Sequence, residues 1–153
     1  MSTSRSNIAR QIEVEHENLK LQMAQLQKSF QTTLSPNNFQ EWKISAVLQL
    51  RDFKGTLEKH FEMEEIGGFN EELVRLNPHN QKKIEELEVE HREILLKLEH
   101  IIQQLKEQVA YEEAAVENLV KDLLNVIETL HAHEASEREL VNNTYFQDVG
   151  SAD

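Results

Sequence analysis

The chain has 153 residues, 39% hydrophobic and 29% charged, which is the size and mixture of one domain with a single core. Its 16 basic and 28 acidic side chains leave a formal charge of −12, which disfavours nucleic-acid backbones and anionic membrane surfaces. With no cysteine, disulfides, iron–sulfur clusters and thiolate-ligated haem or zinc are excluded, so a bound metal must draw on His, Asp, Glu or Tyr.

Gly (4) and Pro (2) are scarce among Leu, Ile, Glu, Gln, Lys and Ala, a helix-forming vocabulary in which no strand is expected. The polar start at Met1-Ser2-Thr3-Ser4-Arg5 carries no apolar signal segment. No apolar run approaches the roughly 20 residues that span a bilayer. A soluble, cytoplasmic single domain over 1–153 is the expectation.

The first helix is expected near 5–33, with the seam Ile8, Ile12, His16, Leu19, Met23, Leu26, Phe30. Ser35-Pro36 reads as an N-cap followed by Pro at the first helical position. The second helix follows near 37–66, with the seam Ala46, Leu50, Phe53, Leu57, His60, Glu64. Gly67-Gly68 can end it, a helical turn fits 69–76, and Asn77-Pro78 can open the next helix. The third is expected near 79–108 on Ile84, Leu87, His91, Ile94, Leu98, Ile101, Leu105. A polar stretch at 106–113 supplies the last turn, and the fourth helix near 113–146 carries Leu119, Leu123, Val126, Leu130, His133, Glu137, Leu140. Steps of three and four put one stripe of each helix against a common core, and short connections favour an antiparallel up-down four-helix bundle.

Every seam is broken by a histidine. His60/Glu64 and His133/Glu137 are i, i+4 pairs, so each pair projects from one face. In antiparallel neighbours, residues equidistant from the turn share a height. His91 and His133 have their midpoint at 112, His16 and His60 at 38, and Glu64 and His91 between 77 and 78, each at an expected turn. Six polar side chains thus converge on one layer. Buried carboxylates without counter-charge cost several kcal/mol each, about as much as the net stability of a small domain. Two iron ions would supply that charge, imidazole with carboxylate suits iron, and carboxylates can bridge two metals in a helix bundle. The alternatives are a metal-free polar network and a mononuclear zinc site, for which six ligands are too many.

At these residues the chain resembles the hemerythrin-like, cation-binding (HHE) four-helix proteins of the bacterial non-carrier type. The matching elements run in order: His16 in Val14-Glu15-His16-Glu17, then His60-Phe61-Glu62-Met63-Glu64-Glu65, Glu90-His91, and His133-Glu134-Ala135-Ser136-Glu137. The resemblance implies a carboxylate-bridged non-haem di-iron centre. In it His16 and His60 bind one iron, His91 and His133 the other, and Glu64 and Glu137 bridge. It implies binding, sensing or reaction with dioxygen, peroxide or nitric oxide, and alternatively an iron- or oxygen-responsive regulatory or binding module without turnover. Enzyme activity is left open; a turnover reaction would consume peroxide, as a catalase or peroxidase does.

Oxygen-carrying relatives have two histidines one turn apart on the third helix, whereas Leu87 and Leu95 flank His91 here. That iron is left one ligand short, to be completed by water or Glu88 or held more weakly. The expected apolar walls are Leu57, Leu87, Ile94, Leu130 and Leu140. Trp42, Phe61 and Met63 are expected as core or flanking contacts, and His79, His100 and His131 as exposed. Glu15, Glu17, Glu62, Glu65, Glu90 and Glu134 flank the ligands and are expected to be mostly solvated, with Glu65 as the alternative to Glu64 in the bridging role. Lys82, Lys83, Glu85 and Glu86 read as a wet face. Tyr111 and Tyr145 lie outside the ligand layer.

Overall fold

A computed structural model of the chain describes residues 7–151. They are helical, with no strand among them: α1 (Asn7–Phe30), α2 (Phe39–Glu65), the short α3 (Phe69–Leu76), α4 (Gln81–Glu107) and α5 (Glu113–Ser151). No described helix is long and apolar enough to cross a membrane. The start expected at residue 5 lies outside the described residues, and the last helix runs beyond the expected 146 to Ser151.

The turns follow local chemistry. Ser35 does not cap α2. Asn38 Oδ1 accepts from the Ser35 backbone N–H at 2.8 Å, and Asn38 Nδ2 donates to Thr33 O at 3.2 Å. This closed turn delays the helix to Phe39, two residues after the expected start. Gly67-Gly68 does stop α2: Gly68 has φ +104°, and a Cβ on Gly67 would lie 2.5 Å from Met63 O. Asn77 accepts from the His79 N–H at 3.1 Å, opening a 3-10 turn over Pro78–Asn80 before α4. The 108–112 turn is held to the start of α2, where Gln40 Nε2 donates to Val109 O and Lys43 Nζ to Gln108 O, both at 2.7 Å.

The four long helices form a closed ring of neighbours: α1 packs on α2 and α5, and α4 packs on α2 and α5. Their seams bury as the spacing requires, with Leu50, Leu57, Leu98, Leu105 and Leu123 fully enclosed. Each such side chain contributes about 1.5–3 kcal/mol on leaving water.

The core is divided in two. The larger cluster includes Leu19, Leu57, Phe61, Ile94 and Leu130. The smaller includes Ile12, Phe69, Leu73, Leu87 and Leu140. On α1, α4 and α5 the predicted polar residues sit between a member of one cluster and a member of the other, while α2 ends at the layer, at Glu65. The polar layer is therefore sandwiched between apolar blocks, and α3 supplies Phe69 and Leu73 to the outer one. The buried Asn80 side chain fastens that end, donating to Leu73 O at 3.0 Å and to Thr144 Oγ1 at 2.8 Å.

Candidate metal centre

The structure brings all six predicted side chains together. His16, His60, Glu64 and Glu137 form one group, and Glu64, His91, His133 and Glu137 form a second. Within each group one donor atom per residue lies within 4.8 Å of all the others, so each can hold a metal ion. Five of the six residues are buried, Glu64 completely, while the His16 side chain keeps 12% exposure.

The two carboxylates are split between the groups. Glu64 Oε2 lies 3.2 Å from His60 Nε2 and 3.6 Å from His16 Nε2, while its Oε1 lies 3.0 Å from His91 Nε2. Glu137 Oε1 lies 3.1 Å from His16 Nε2, and its Oε2 lies 3.4 Å from His133 Nε2. Each glutamate thus turns one oxygen to each group. The His91 and His133 Nε2 atoms face one another at 3.0 Å.

Proximity here is not hydrogen bonding. His16 Nε2, His60 Nε2, both Glu64 oxygens and Glu137 Oε1 are buried without a properly directed hydrogen-bond partner. Buried polar atoms are nearly always paired. Apart from the His91–His133 Nε2 pair, these donor atoms converge without bonding one another, which fits a cation, and the imidazole–carboxylate set suits iron, zinc or manganese.

The outer face of the rings supports this fit. His60 Nδ1 pairs with Glu15 Oε1 at 2.7 Å, His91 Nδ1 with Glu65 Oε2 at 2.6 Å, and His133 Nδ1 with Glu90 Oε1 at 2.6 Å. A ring that donates its Nδ1 proton outward turns Nε2 inward as the free position, and such carboxylates commonly back metal-binding histidines. Phe61 fixes the His91 plane further, stacking on it with ring centroids 3.8 Å apart and planes 9° from parallel.

Without a cation, the site neutralises itself with protons. Burial opposes charging His16, but the Glu137 and Glu64 carboxylates outweigh it and push its pKa to about 10. Burial likewise opposes charging His91, and Glu137, Glu64 and Glu65 raise it to about 10. His60 and His133 are raised in the same way, against burial, by Glu64 and Glu137 respectively. Glu137 is held well below the usual carboxylate range: burial works against this, but His133, His16 and His91 prevail.

Several expectations about the flanks are corrected. Glu15, Glu65 and Glu90 are not idle solvated charges, since each clamps a ring on the neighbouring helix. Glu65 does not replace Glu64; it stands behind His91. Glu134, also expected in solvent, is buried with neither oxygen hydrogen-bonded. Glu88 belongs to neither group and accepts from Asn70 Nδ2 at 2.9 Å, so it does not complete the coordination of His91.

Other expectations match. Glu17 and Glu62 are exposed, as are His79, His100 and His131. Leu57, Leu87, Ile94, Leu130 and Leu140 are buried around the layer, and Trp42 and Met63 pack against the two clusters. Tyr145 is buried in the outer cluster with its hydroxyl donating to Glu72, and Tyr111 packs near Phe39. Compared with known proteins, the chain matches no protein-family model, no curated protein and no solved structure.

Proposed function

We propose that this chain is a hemerythrin-like protein, an antiparallel up-down bundle that holds two iron ions and binds or reacts with a small oxidant such as dioxygen, peroxide or nitric oxide. The observation that carries the reading is the division of Glu64 and Glu137 between the two groups, one oxygen facing each. In this reading His16 and His60 hold one ion, His91 and His133 hold the other, and the two glutamates bridge. Iron bound there supplies Lewis acidity and one-electron redox change.

The chain's own residues set the rest. Glu15, Glu65 and Glu90 keep three rings oriented with Nε2 inward. Leu57, Ile94 and Leu130 on one side, with Leu87 and Leu140 on the other, keep bulk water from the layer. Four protein donors around each position fall short of the six that iron commonly takes, which leaves room for a diatomic molecule or peroxide but not for a large substrate.

A second reading, a regulatory module without turnover, draws on the burial of two carboxylates and three imidazoles among apolar clusters. Metal binding at such a layer is coupled to the stability of the whole bundle. Mixing iron-loaded protein with hydrogen peroxide, dioxygen and nitric oxide in turn, and following near-ultraviolet absorbance, tests both. A spectral change that is lost in His60→Ala supports the proposal, and catalytic peroxide loss favours turnover over sensing. An unaltered spectrum with all three ligands overturns it.

A further inference from the structure

The outer carboxylates link the helices in order around the ring. Glu15 on α1 reaches His60 on α2, Glu65 on α2 reaches His91 on α4, and Glu90 on α4 reaches His133 on α5. A link from α5 back to His16 on α1 is not made: among the described residues no carboxylate pairs with His16 Nδ1. The His16 side chain also keeps 12% exposure, against 3% for His60 and 1% for His91 and His133. Of the four rings in the layer, His16 alone is unbacked and open to solvent.

The two groups also differ in what they take from α1. The group of Glu64, His91, His133 and Glu137 draws its donors from α2, α4 and α5, and its clamps, Glu65 and Glu90, from α2 and α4. It is complete without α1. The group of His16, His60, Glu64 and Glu137 takes from α1 both a donor, His16, and the clamp on His60, Glu15. Those two residues are consecutive, so one displacement of that stretch of α1 removes both. Each group has four protein donors, so donor count does not separate them. Backing and enclosure do.

We propose that the two positions fill in order, the α4–α5 position first and the α1–α2 position second, when α1 brings Glu15 and His16 against the layer. His16 is the ligand that turns away when the second ion leaves. The inference rests on the two-ion reading above and extends it to how the ions enter and leave. A carboxylate behind a metal-binding histidine is worth about 10–100-fold in metal affinity, and the α1–α2 position has one backed ring where the other has two. The chain thus has a one-ion form with α1 loosened and a two-ion form with α1 closed, and iron supply shifts it between them.

The test is anaerobic loading of the metal-free full chain with ferrous iron, then a chase with excess chelator followed by stopped-flow absorbance. Wild type should release its iron in two phases of equal amplitude, at least about tenfold apart in rate. Glu15→Gln should speed the fast phase alone, and Glu90→Gln the slow phase alone. His16→Ala should bind one iron per chain and release it at the slow rate. Hydrogen exchange at zero, one and two equivalents of ferrous iron gives a readout that needs no variant. The first equivalent should protect the α4 and α5 amides around His91 and His133, and the second those of α1 around His16. Three results each overturn the inference and leave the two-ion reading standing: single-phase release of two ions, a fast phase moved by Glu90→Gln but not by Glu15→Gln, or protection of α1 by the first equivalent. A wild-type chain that binds fewer than two ferrous ions overturns that reading, and the inference with it.

Discussion

Replacing Glu64 by alanine removes a donor from both groups at once, because its Oε2 serves His16 and His60 and its Oε1 serves His91. Each group of four falls to three, and no other carboxylate of the two groups remains except Glu137. Substituting a residue that only backs a ligand costs about 10–100-fold in metal affinity. Loss of a shared ligand should exceed that range, so we expect more than about 100-fold weaker binding, equivalent to roughly 2.7 kcal/mol or more. The side chain is fully buried, so solvent cannot substitute without entering the layer. Iron content after purification and dialysis, measured beside Glu62→Ala as an exposed control, reads the effect. Wild-type iron content in Glu64→Ala, or a larger loss in Glu65→Ala, would refute the assignment of Glu64 as the shared ligand.

Glu65→Ala and Glu90→Ala should each weaken iron binding by about 10–100-fold, through the freed Nδ1 of His91 or His133; equilibrium dialysis checks this, and wild-type affinity in both would show that the clamps are idle. Because His16 and His91 titrate near 10 in the metal-free chain, both carry protons at pH 7, and loading the site must release them. Metal affinity should therefore rise with pH up to about 10, and calorimetry at pH 7 in buffers of different ionisation heat should report at least two protons released per loaded chain. The same raised values give the metal-free fold a contribution that is complete below pH 6.5 and is lost as pH rises through about 10, so apo unfolding temperature should fall over that window. At metal concentrations 100 times the dissociation constant, loading should stabilise the fold by about 2.7 kcal/mol and raise the unfolding temperature by several degrees; coincident apo and holo melting curves by circular dichroism would count against the site.

The polar layer was legible because helix periodicity and turn position together fix both the face and the height of a residue. His16, His60, His91 and His133 could be aligned from their midpoints without coordinates. The clamps were not legible by that route. Glu15, Glu65 and Glu90 sit about 100° around the helix from a seam position, where a glutamate is ordinarily solvated. Only the distance between neighbouring helices shows that such a side chain reaches across to the next ring. One trace was nevertheless present in the sequence, since each of the four seam histidines except His60 is directly preceded or followed by a glutamate, and Glu64 is followed by another. The burial of Glu134 arises from helix packing, which no one-dimensional pattern encodes. The start of α2 was misplaced because Ser35-Pro36 carries the residues of a cap, while Asn38 binds the Ser35 N–H first and holds a turn there.

Metal analysis of the aerobically purified full chain, with its optical spectrum, tests the account at its centre. About two irons per chain, with near-ultraviolet charge-transfer bands that disappear when the metal is stripped, are the predicted result. A chain that purifies metal-free and takes up no iron on incubation with ferrous salt, or one that retains a single zinc with no affinity for iron, would contradict it.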